Sequence, residues 1–592
     1  MKHLDCACRH SALAVAVLAI CGLLAAERPD PCRRSFIDPV RVLWSQGDCK
    51  SYGDGKEGLG SSILVGRHYG QFPEGPMWLG SGFKMVSDGT NAPAVLVDFG
   101  RELHGGVKIG VGAYTTGQMR IRLRFGESAA EAMSELGEKG ASNVHAMRDM
   151  VVEVAPNGGW QEFGATGFRF VRLDVLSKGE FFLEFIQAVS LMRPMEEHGG
   201  FRCSDERLNR IFDTAVRTVR LCAQPFIWDG IKRDRCVWMG DLHPEMMALL
   251  DVCGGVDVIP ETLQYMIDTT PPDKWMNNTI STYTLWWMKC MHDWWFRTGD
   301  LSLAERNRDY FKAICRKMEA YVREGEDAVL PGEFLDWGTE SNAPAVHAGS
   351  KALMKLAFDD AAELSMAIGE RENAEMLREK SRWLSSYAYD PHGAKSAAAI
   401  LALSGVRPAK EMYSRVIGVK PLDGFTPFYG YYVLEAMSMA GERQAGLDVC
   451  RDFWGAMLDM GATSFWEHFD VSWTNNAFRI DEIPIAGKKD IHGDYGEGCY
   501  KGYRRSLCHG WSAGPAAWLI ENILGIRPLE PGCRKVAVEP FLGNLDWAEG
   551  ALAVPGGAIR VRAEKTASGQ IVASVSAPSG IVVVKQGYER KK

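Results

Sequence analysis

The sequence predicts a multidomain protein with an N-terminal β-sandwich, a central (α/α)6 barrel of paired helices and a small C-terminal β-sandwich. Apolar residues alternate with polar residues in many segments up to about Arg193, which is the period of strands. From Ser204 the apolar period becomes helical, and from Ile526 the strand period returns. A chain of 592 residues is also too long for one ordinary domain.

The first 26 residues have the pattern of a secretory signal peptide. Lys2 and Arg9 precede an apolar run from Ala12 to Ala26, which ends in small residues. The run is short for a membrane span, and the sequence contains no second apolar run of that length. We therefore expect a secreted or periplasmic protein with a signal peptide at 1–26 and no membrane span.

Residues 27–195 are expected to form the N-terminal β-sandwich. Alternating apolar and polar residues, or short apolar runs, are separated there by turns rich in glycine and asparagine. The predicted strands are Val95–Phe99, Met119–Phe125, Phe168–Val175 and Phe181–Leu191. A short helical insertion is predicted at Ser128–Gly137.

Residues 196–525 are expected to form the barrel. Ser204 is the predicted N-cap of the first helix, whose apolar residues form one stripe. Paired helices in this number, without a repeat of fixed length, favour a closed ring of hairpins over an open solenoid. The further predicted helices are Pro244–Val252, Pro260–Asp268, Ile280–Arg297, Leu301–Glu324, Val346–Ile368, Glu370–Tyr387, Lys395–Leu403, Lys410–Val416, Tyr431–Met439, Gln444–Leu458 and Ala513–Leu524.

Residues 526–592 are expected to form the C-terminal β-domain. The clearest alternation is in Ala558–Glu564, where apolar residues occupy every second position. The other predicted strands are Arg534–Val538, Ile571–Ser576 and Ile581–Val584.

Composition narrows the function. A net charge of −8 provides no basic footprint for nucleic acid. Most of the 18 tryptophans are expected in the core, because aromatic side chains dominate buried area. The cysteines after the leader show no CxxC pair and no zinc spacing, so we predict no metal and no cofactor. Cys32 and Cys49 are a candidate disulfide pair.

The densest group of chemically active side chains lies in Trp228–Glu245. Its acids are five and seven residues apart, so they cannot share one helical face, and two glycines favour a loop. Charged loops with aromatic residues often carry sites, and we interpret this one as a sugar-binding, acid-catalytic loop. Alternatively, Asp241 caps a helix beginning near Pro244. The loop contains Asp229, Asp234, Asp241, Lys232, Arg233, Arg235 and Trp238.

A second candidate is Glu467, which stands between Trp466 and His468. A carboxylate in an aromatic pocket would be partly desolvated, which would raise its pKa and suit proton abstraction from water. The alternative is an ordinary glutamate at the start of a helix.

Two further stretches place a polar group beside a tryptophan. His509 is followed by Gly510 and Trp511, and Asp336 is followed by Trp337. Each pair offers a hydrogen-bonding group and an apolar face, although a lone histidine is more often structural. The sequence contains no HExxH motif, which gives no basis for a zinc protease.

Taken together, these motifs resemble the α-L-rhamnosidases of glycoside hydrolase family 78. Asp98–Gly106 and Arg124–Glu127 are similar to that family's N-terminal β-domain. Asp229–Asp241 is similar to its acidic signature near the start of the barrel. Its later signatures are matched by Asp336-Trp337, Phe465-Trp466-Glu467 and His509-Gly510-Trp511.

The resemblance implies an inverting exo-glycosidase acting on a rhamnose-containing glycan or glycoside. It assigns Asp234 as general acid and Glu467 as general base, with the two carboxyl groups roughly 6.5–9.5 Å apart. The remaining matched residues would bind the sugar. They are Asp229, Arg233, Trp238, Asp241, Asp336, Trp337, Trp466, His509 and Trp511.

One position departs from the family pattern. Family members have a glutamate where this chain has Asp234, which is one methylene shorter. Misplacement by about 1 Å can cost roughly 10²-fold in rate. We expect a shifted backbone to compensate; the alternatives are a different substrate and weak activity. A protonated acid also requires that Arg233 and Arg235 point away from Asp234, or pair with Asp229 and Asp241.

Other functions stay open at this point. The same barrel is found in other exo-glycosidases, phosphorylases and polysaccharide lyases, and a Tyr503–His509 pair leaves a lyase in consideration. The aspartate at position 234 also leaves open a glycan-binding protein without catalytic activity.

Overall fold

The computed structural model describes residues 30–52, 82–156, 159–277, 279–587 and 589–590. The predicted signal peptide lies outside these residues. In the described chain an antiparallel sheet is followed by a helical region and then by smaller sheets. The predicted order of β, α and β regions is therefore confirmed.

The first region is a sheet whose strands pair antiparallel throughout the described residues. Its strands are β1 Arg33–Ile37, β2 Arg41–Gln46, β3 Asp48–Tyr52, β4 Gly82–Ser87, β5 Ala94–Val111, β6 Met119–Gly126, β7 Asp149–Val154, β8 Trp160–Val175 and β9 Gly179–Met192. Their main order is β3-β4-β9-β5-β8-β6-β7, with β1 beside β9 and β2 beside β5. The predicted strands were too short because β5 and β8 continue through irregular positions.

The helical insertion is shorter than predicted and spans Ala129–Met133. The Ser128 hydroxyl accepts from the Glu131 backbone N–H at 3.1 Å, and the Glu131 carboxylate accepts from the Glu127 N–H at 2.9 Å. These bonds fix Glu127 and Glu131 at the face of the sheet domain that meets the helical region.

The helical region contains the predicted helices, most of them with shifted ends. Ser204 does not cap the first one: the Asp205 carboxylate accepts from the N–H groups of Arg207 and Leu208. The predicted Leu301–Glu324 helix is divided at Asn307. The α-helices are Glu206–Cys222, Met239–Cys253, Val258–Thr269, Ser281–Thr298, Ser302–Arg306, Arg308–Glu319, Ala343–Ala367, Arg371–Ser385, Lys395–Leu403, Ala409–Met412, Gly430–Ala440, Arg443–Asp459 and Gly514–Trp518.

The core of this region is aromatic, as predicted. Trp286, Trp287, Trp454, Trp466 and Trp518 are the largest of its fully buried side chains. Burial on this scale is the dominant favourable term in folding. None of the described helices combines the length and the apolar character needed to cross a bilayer.

The last region contains a larger and a smaller sheet. The larger sheet includes β10, Gly200–Cys203, which precedes the helices in the chain and pairs antiparallel with Trp547–Val554. Sequence analysis did not predict Trp547–Val554, since small residues obscure its alternation. The other strands are Ile526–Pro528, Lys535–Val538, Gly557–Lys565, Ile571–Ser576, Val582–Lys585 and Glu589–Arg590.

The predicted disulfide between Cys32 and Cys49 is not formed. Cys32 and Cys49 are both free thiols. The Cys32 thiol lies 3.2 Å from the side-chain oxygen of Gln224, and the Cys49 thiol lies 3.1 Å from the carbonyl of Gln46.

Candidate active site

The acidic loop, residues 228–238, lies between the helices Glu206–Cys222 and Met239–Cys253. It closes on itself through a 3.0 Å bond from the Asp229 N–H to the Cys236 carbonyl. The Asp229 carbonyl accepts from the Gly510 N–H at 2.7 Å, and Gly230 forms an isolated antiparallel bridge with His509. Backbone bonds therefore bring His509, distant in sequence, to the acidic loop.

The segment around Glu467 lies beside the same chain. Glu467 donates its N–H to the Ser506 carbonyl at 3.0 Å, and His509 donates its N–H to the Phe465 carbonyl at 2.9 Å. Three segments, of which the first lies more than 200 residues before the other two, are thereby held together. They carry Asp229, Glu467 and His509, which the sequence singled out separately.

The Glu467 carboxylate is buried and paired. It forms an ion pair with Arg233, accepts from the Ser506 N–H at 2.8 Å, and lies 3.8 Å from Nδ1 of His509. Burial alone would raise its pKa, but Arg233, His509 and the Ser506 N–H together hold the pKa below its usual value. The expected rise in the pKa of Glu467 is therefore wrong. The sequence neighbours are aromatic, but in the folded protein the carboxylate faces a guanidinium, an imidazole and a backbone N–H.

Asp241, which follows the acidic loop in the chain, is also a buried carboxylate. It lies in the first turn of its helix, which begins at Met239, so it does not cap a helix beginning near Pro244. His509 Nε2 is 3.1 Å from one carboxylate oxygen, and the Tyr283 hydroxyl donates to the other at 3.2 Å. Burial raises the pKa of Asp241, although the bonds from His509 and Tyr283 oppose the shift.

Asp229 and Glu245 lie deeper in the same cluster. Burial, followed by the charges of Asp234 and Asp241, holds the pKa of Asp229 well above its usual value. Glu245 is also buried, and burial raises its pKa strongly. Its carboxylate lies against Gly510, where a Cβ atom would overlap it, so the close approach requires glycine.

Asp234 is the most exposed acid of the loop, with 20% of its side chain accessible. Neither neighbouring guanidinium is directed to it. Arg233 pairs with Glu467, while Arg235 donates to the carbonyls of Ala165 and His145 at 2.8 and 2.6 Å. The predicted orientation away from Asp234 is therefore observed. The alternative pairing with Asp229 and Asp241 is not, since Arg233 pairs with the other predicted catalytic residue.

Aromatic rings surround this cluster. Tyr500 contacts Trp337 edge-on, with the ring centroids 5.5 Å apart, and its ring centroid lies 5.2 Å from Cζ of Arg233. The ring centroids of Trp511 and His509 are 4.2 Å apart, and Trp511 also contacts Tyr500. These rings form a nearly continuous wall beside Glu467.

The other predicted site residues differ in position. Trp238 is partly buried and contacts Tyr283 edge-on, next to Asp241. Asp336 is buried, which raises its pKa to about 6, and accepts from Thr426. Trp466 is fully buried and packs against Phe469, so the structure gives its ring a packing role in the barrel core.

The N-terminal sheet domain supports the site directly. Glu127 accepts from the Leu507 N–H at 2.6 Å and the Ser506 hydroxyl at 3.1 Å. Lys232 of the acidic loop reaches Glu127 at 2.8 Å and Glu131 at 3.2 Å. The segment that binds Glu467 is therefore fixed by a carboxylate from another domain.

Two clusters of described residues have the close spacing seen in metal sites. One contains Glu127, Glu131 and His492, and the other contains His292, Asp293 and Asp360. In each cluster an ammonium already lies beside the carboxylates: the buried Lys232 in the first, and the partly buried Lys289, 2.9 Å from Asp360, in the second. Lysine supplies the positive charge in both.

Sequence reasoning missed several contacts. Tyr283 lies in the predicted Ile280–Arg297 helix and was not among the predicted site residues, yet its hydroxyl reaches Asp241. Ser506, Tyr500 and His145 gave no local signal, since backbone bonds and long-range contacts recruit them. Glu127 carried one clue, because it lies in the family-like Arg124–Glu127 segment.

Comparison with known protein families matches two parts of the chain. Residues 196–389 match the model described as the bacterial alpha-L-rhamnosidase 6 hairpin glycosidase domain. Residues 525–584 match the bacterial alpha-L-rhamnosidase C-terminal domain. Two parts of the chain thus match domain models of bacterial α-L-rhamnosidases. The resemblance predicted from the sequence, including the six-hairpin helical domain of a glycoside hydrolase, is confirmed.

Solved structures of rhamnosidases share the fold. The GH78 enzyme of Bacillus sp. GL1 is 22% identical with a TM-score of 0.68, covering 85% of this chain and 54% of its own. A Klebsiella oxytoca rhamnosidase with rhamnose bound is 18% identical with a TM-score of 0.62, covering 83% and 95%. The Streptomyces avermitilis enzyme complexed with L-rhamnose is 15% identical with a TM-score of 0.62, covering 85% and 50%.

The chain thus spans about half the length of the Bacillus and Streptomyces proteins. No match was found among curated proteins.

Proposed function

We propose that this protein hydrolyses terminal α-L-rhamnosyl residues from glycosides or polysaccharides with inversion at the anomeric carbon. One observation carries the proposal: the barrel brings the acidic loop, Glu467 and His509 into one buried cluster through backbone bonds. Carboxylates, an imidazole and aromatic faces in one place suit a sugar ring, whose hydroxyls need acceptors and whose faces are apolar. Structures of two rhamnosidases with the same fold contain rhamnose.

The proposed step uses two carboxyl groups on opposite sides of the sugar. Asp234 donates its proton to the glycosidic oxygen as the bond from that oxygen to the anomeric carbon breaks. A water molecule attacks the anomeric carbon from the other face and loses its proton to Glu467. Inversion follows because one displacement occurs with no covalent intermediate.

The electrostatics fit this division of roles. The lowered pKa of Glu467 keeps it ionised near neutral pH, which a base requires. Its negative charge also stabilises the positive charge that develops on the sugar in the transition state. The pKa values of Asp229 and Asp241 are raised, so each carboxyl group can accept a hydrogen bond from a sugar hydroxyl when ionised and donate one when protonated.

The deciding experiment is release of rhamnose from an aryl α-L-rhamnoside by wild type, Glu467→Gln and Asp234→Asn. We expect turnover by wild type and large losses in both variants. Proton NMR of the first-formed anomer should show β-L-rhamnose, and α-L-rhamnose would contradict inversion. Aryl α-L-fucoside and α-D-mannoside test other sugar specificities on the same barrel.

The aspartate at position 234 favours one rival, a glycan-binding protein that lacks catalytic activity. Binding of rhamnose without turnover by wild type would support that function instead. A lyase is not supported, because the Tyr503 hydroxyl donates to Asp490 and His509 pairs with Asp241. The two residues that a lyase would need as a pair thus have separate partners.

We also expect the pH dependence of this reaction to depend on Arg233. Because Arg233 lowers the pKa of Glu467, Arg233→Gln should raise it. Glu467 acts when deprotonated, so activity in the variant should be lost at a higher pH as the solution is acidified. The measurement is the acidic limb of kcat/KM against pH, with the exposed Arg371→Gln as control. An unmoved limb would contradict this assignment of the base.

We further propose that the protein acts outside the cytoplasm, on the strength of the signal-like leader. N-terminal sequencing of the protein from its native source should begin near Glu27, whereas retention of Met1 in the cytoplasmic fraction would contradict this.

A further inference from the structure

The loop that precedes β7 places His145 beside the proposed acid. Its Nδ1 lies 3.2 Å from Oδ1 of Asp234, and 12% of the imidazole is accessible. His145 belongs to the N-terminal sheet domain, whereas Asp234 belongs to the barrel. The contact therefore crosses between the two domains at the position where this chain has an aspartate.

The backbone on both sides of this contact adopts a conformation that favours glycine. The φ angles are +74° at His145, +54° at Asp234 and +53° at Arg235. Such backbone conformations persist only where the surrounding structure enforces them, and they cluster at functional sites. Here the enforcing contact is Arg235, which donates to the carbonyls of His145 and Ala165.

The charges around His145 favour a neutral ring. Burial lowers its pKa, and the nearby Arg233, Arg504 and Arg235 lower it further, while Asp234 opposes them. A neutral imidazole carries one N–H, so the tautomer with hydrogen on Nδ1 donates to Asp234 whether the acid is protonated or not.

We propose that His145 is a positioning residue for the acid: its Nδ1–H binds Oδ1 of Asp234 and directs Oδ2, with its proton, at the glycosidic oxygen. The inference rests on the function proposed above. When the proton leaves Oδ2, the electron pair of the breaking bond remains on the departing oxygen and Asp234 becomes a carboxylate. The Nδ1–H of His145 stabilises that new charge, and His145 itself neither gains nor loses a proton.

The short side chain explains why such a partner is useful. Asp234 has one rotatable bond fewer than glutamate, and its carboxyl group cannot extend to compensate for an error in aim. Anchoring one oxygen leaves one orientation for the other, and an orientation held in advance removes the cost of finding it during the reaction.

The test compares two leaving groups. Phenyl α-L-rhamnoside needs protonation of its departing oxygen, whereas 4-nitrophenyl α-L-rhamnoside needs it far less. His145→Ala should lower kcat by roughly 10²-fold on the phenyl substrate, since misplacement by about 1 Å has that effect. The loss on the 4-nitrophenyl substrate should be much smaller, with KM nearly unchanged on both.

His145→Asn is the rescue variant. Its side-chain N–H can replace Nδ1–H, and asparagine tolerates positive φ, so it should retain most of the phenyl rhamnoside activity. If His145→Ala folds poorly, His145→Gly removes the ring without backbone strain. His392 provides a matched control, because it is an exposed histidine with φ +47° beside Asp390. Its alanine and asparagine variants should match wild type.

Equal losses on both substrates, or failure of His145→Asn to exceed His145→Ala, would overturn the positioning role while leaving the proposed function intact. Absence of turnover by wild type on both substrates would overturn the proposed function and this inference together.

Discussion

Glu467→Gln is expected to lower kcat roughly 10²- to 10⁴-fold, the usual contribution of a general acid or base. Glutamine keeps the shape of the side chain and can still accept from the Ser506 N–H, which lies 2.8 Å away. It cannot remove a proton from water. Binding of rhamnose should therefore change much less than turnover, as measured by kcat and by titration calorimetry.

Two controls separate loss of the base from general damage. Glu379→Gln changes an exposed glutamate on a barrel helix and should leave kcat unchanged. Azide needs no deprotonation before attack, so it should restore part of the rate of Glu467→Ala and yield the β-rhamnosyl azide. Retention of more than a tenth of wild-type kcat by Glu467→Gln would show that another group acts as base.

Lys232→Met is expected to cause the largest loss of stability, about 3–5 kcal/mol for breaking a buried ion pair. The Lys232 ammonium is buried between Glu127 and Glu131 and also donates to the carbonyls of Tyr503 and Arg505, at 2.9 and 2.8 Å. Methionine preserves the volume but leaves both carboxylates without this cation. The midpoint of urea unfolding at pH 7 measures the effect.

A second substitution tests the cause. Adding Glu131→Gln to Lys232→Met should recover part of the loss, because it removes one of the buried charges that lost its partner. Lys488→Met, at an exposed lysine, should leave the midpoint unchanged. If Lys232→Met behaves like Lys488→Met, the buried cluster does not hold the domains together.

Much of the fold could be predicted because each prediction needed only local information. The helix Lys395–Leu403 and the strand Ile571–Ser576 have the ends that their periodicity indicates. Errors arose where a neighbour outside the local segment decided. Asp241 lies inside a helix because that helix begins at Met239, directly after the N-cap residue Trp238. Trp547–Val554 is a strand because Gly200–Cys203 pairs with it.

The candidate site shows the same division. Its acids, Glu467 and His509 could be named from residue type and motif, because chemistry requires those side chains. Their charge states could not, since a pKa depends on burial and on partners brought from elsewhere in the chain. Glu467 has a lowered pKa owing to Arg233, which lies 234 residues earlier in the chain.

Periodicity and motifs are local properties of the chain, so the order of the β, helical and β regions and the residue types of the candidate site follow from the amino-acid sequence. Folding decides the long-range contacts: Arg233 pairs with Glu467, Glu127 fixes the segment carrying Ser506, and His145 meets Asp234. The last two join the sheet domain to the helical region, and the energies of such contacts arise only when folding brings the partners together away from water.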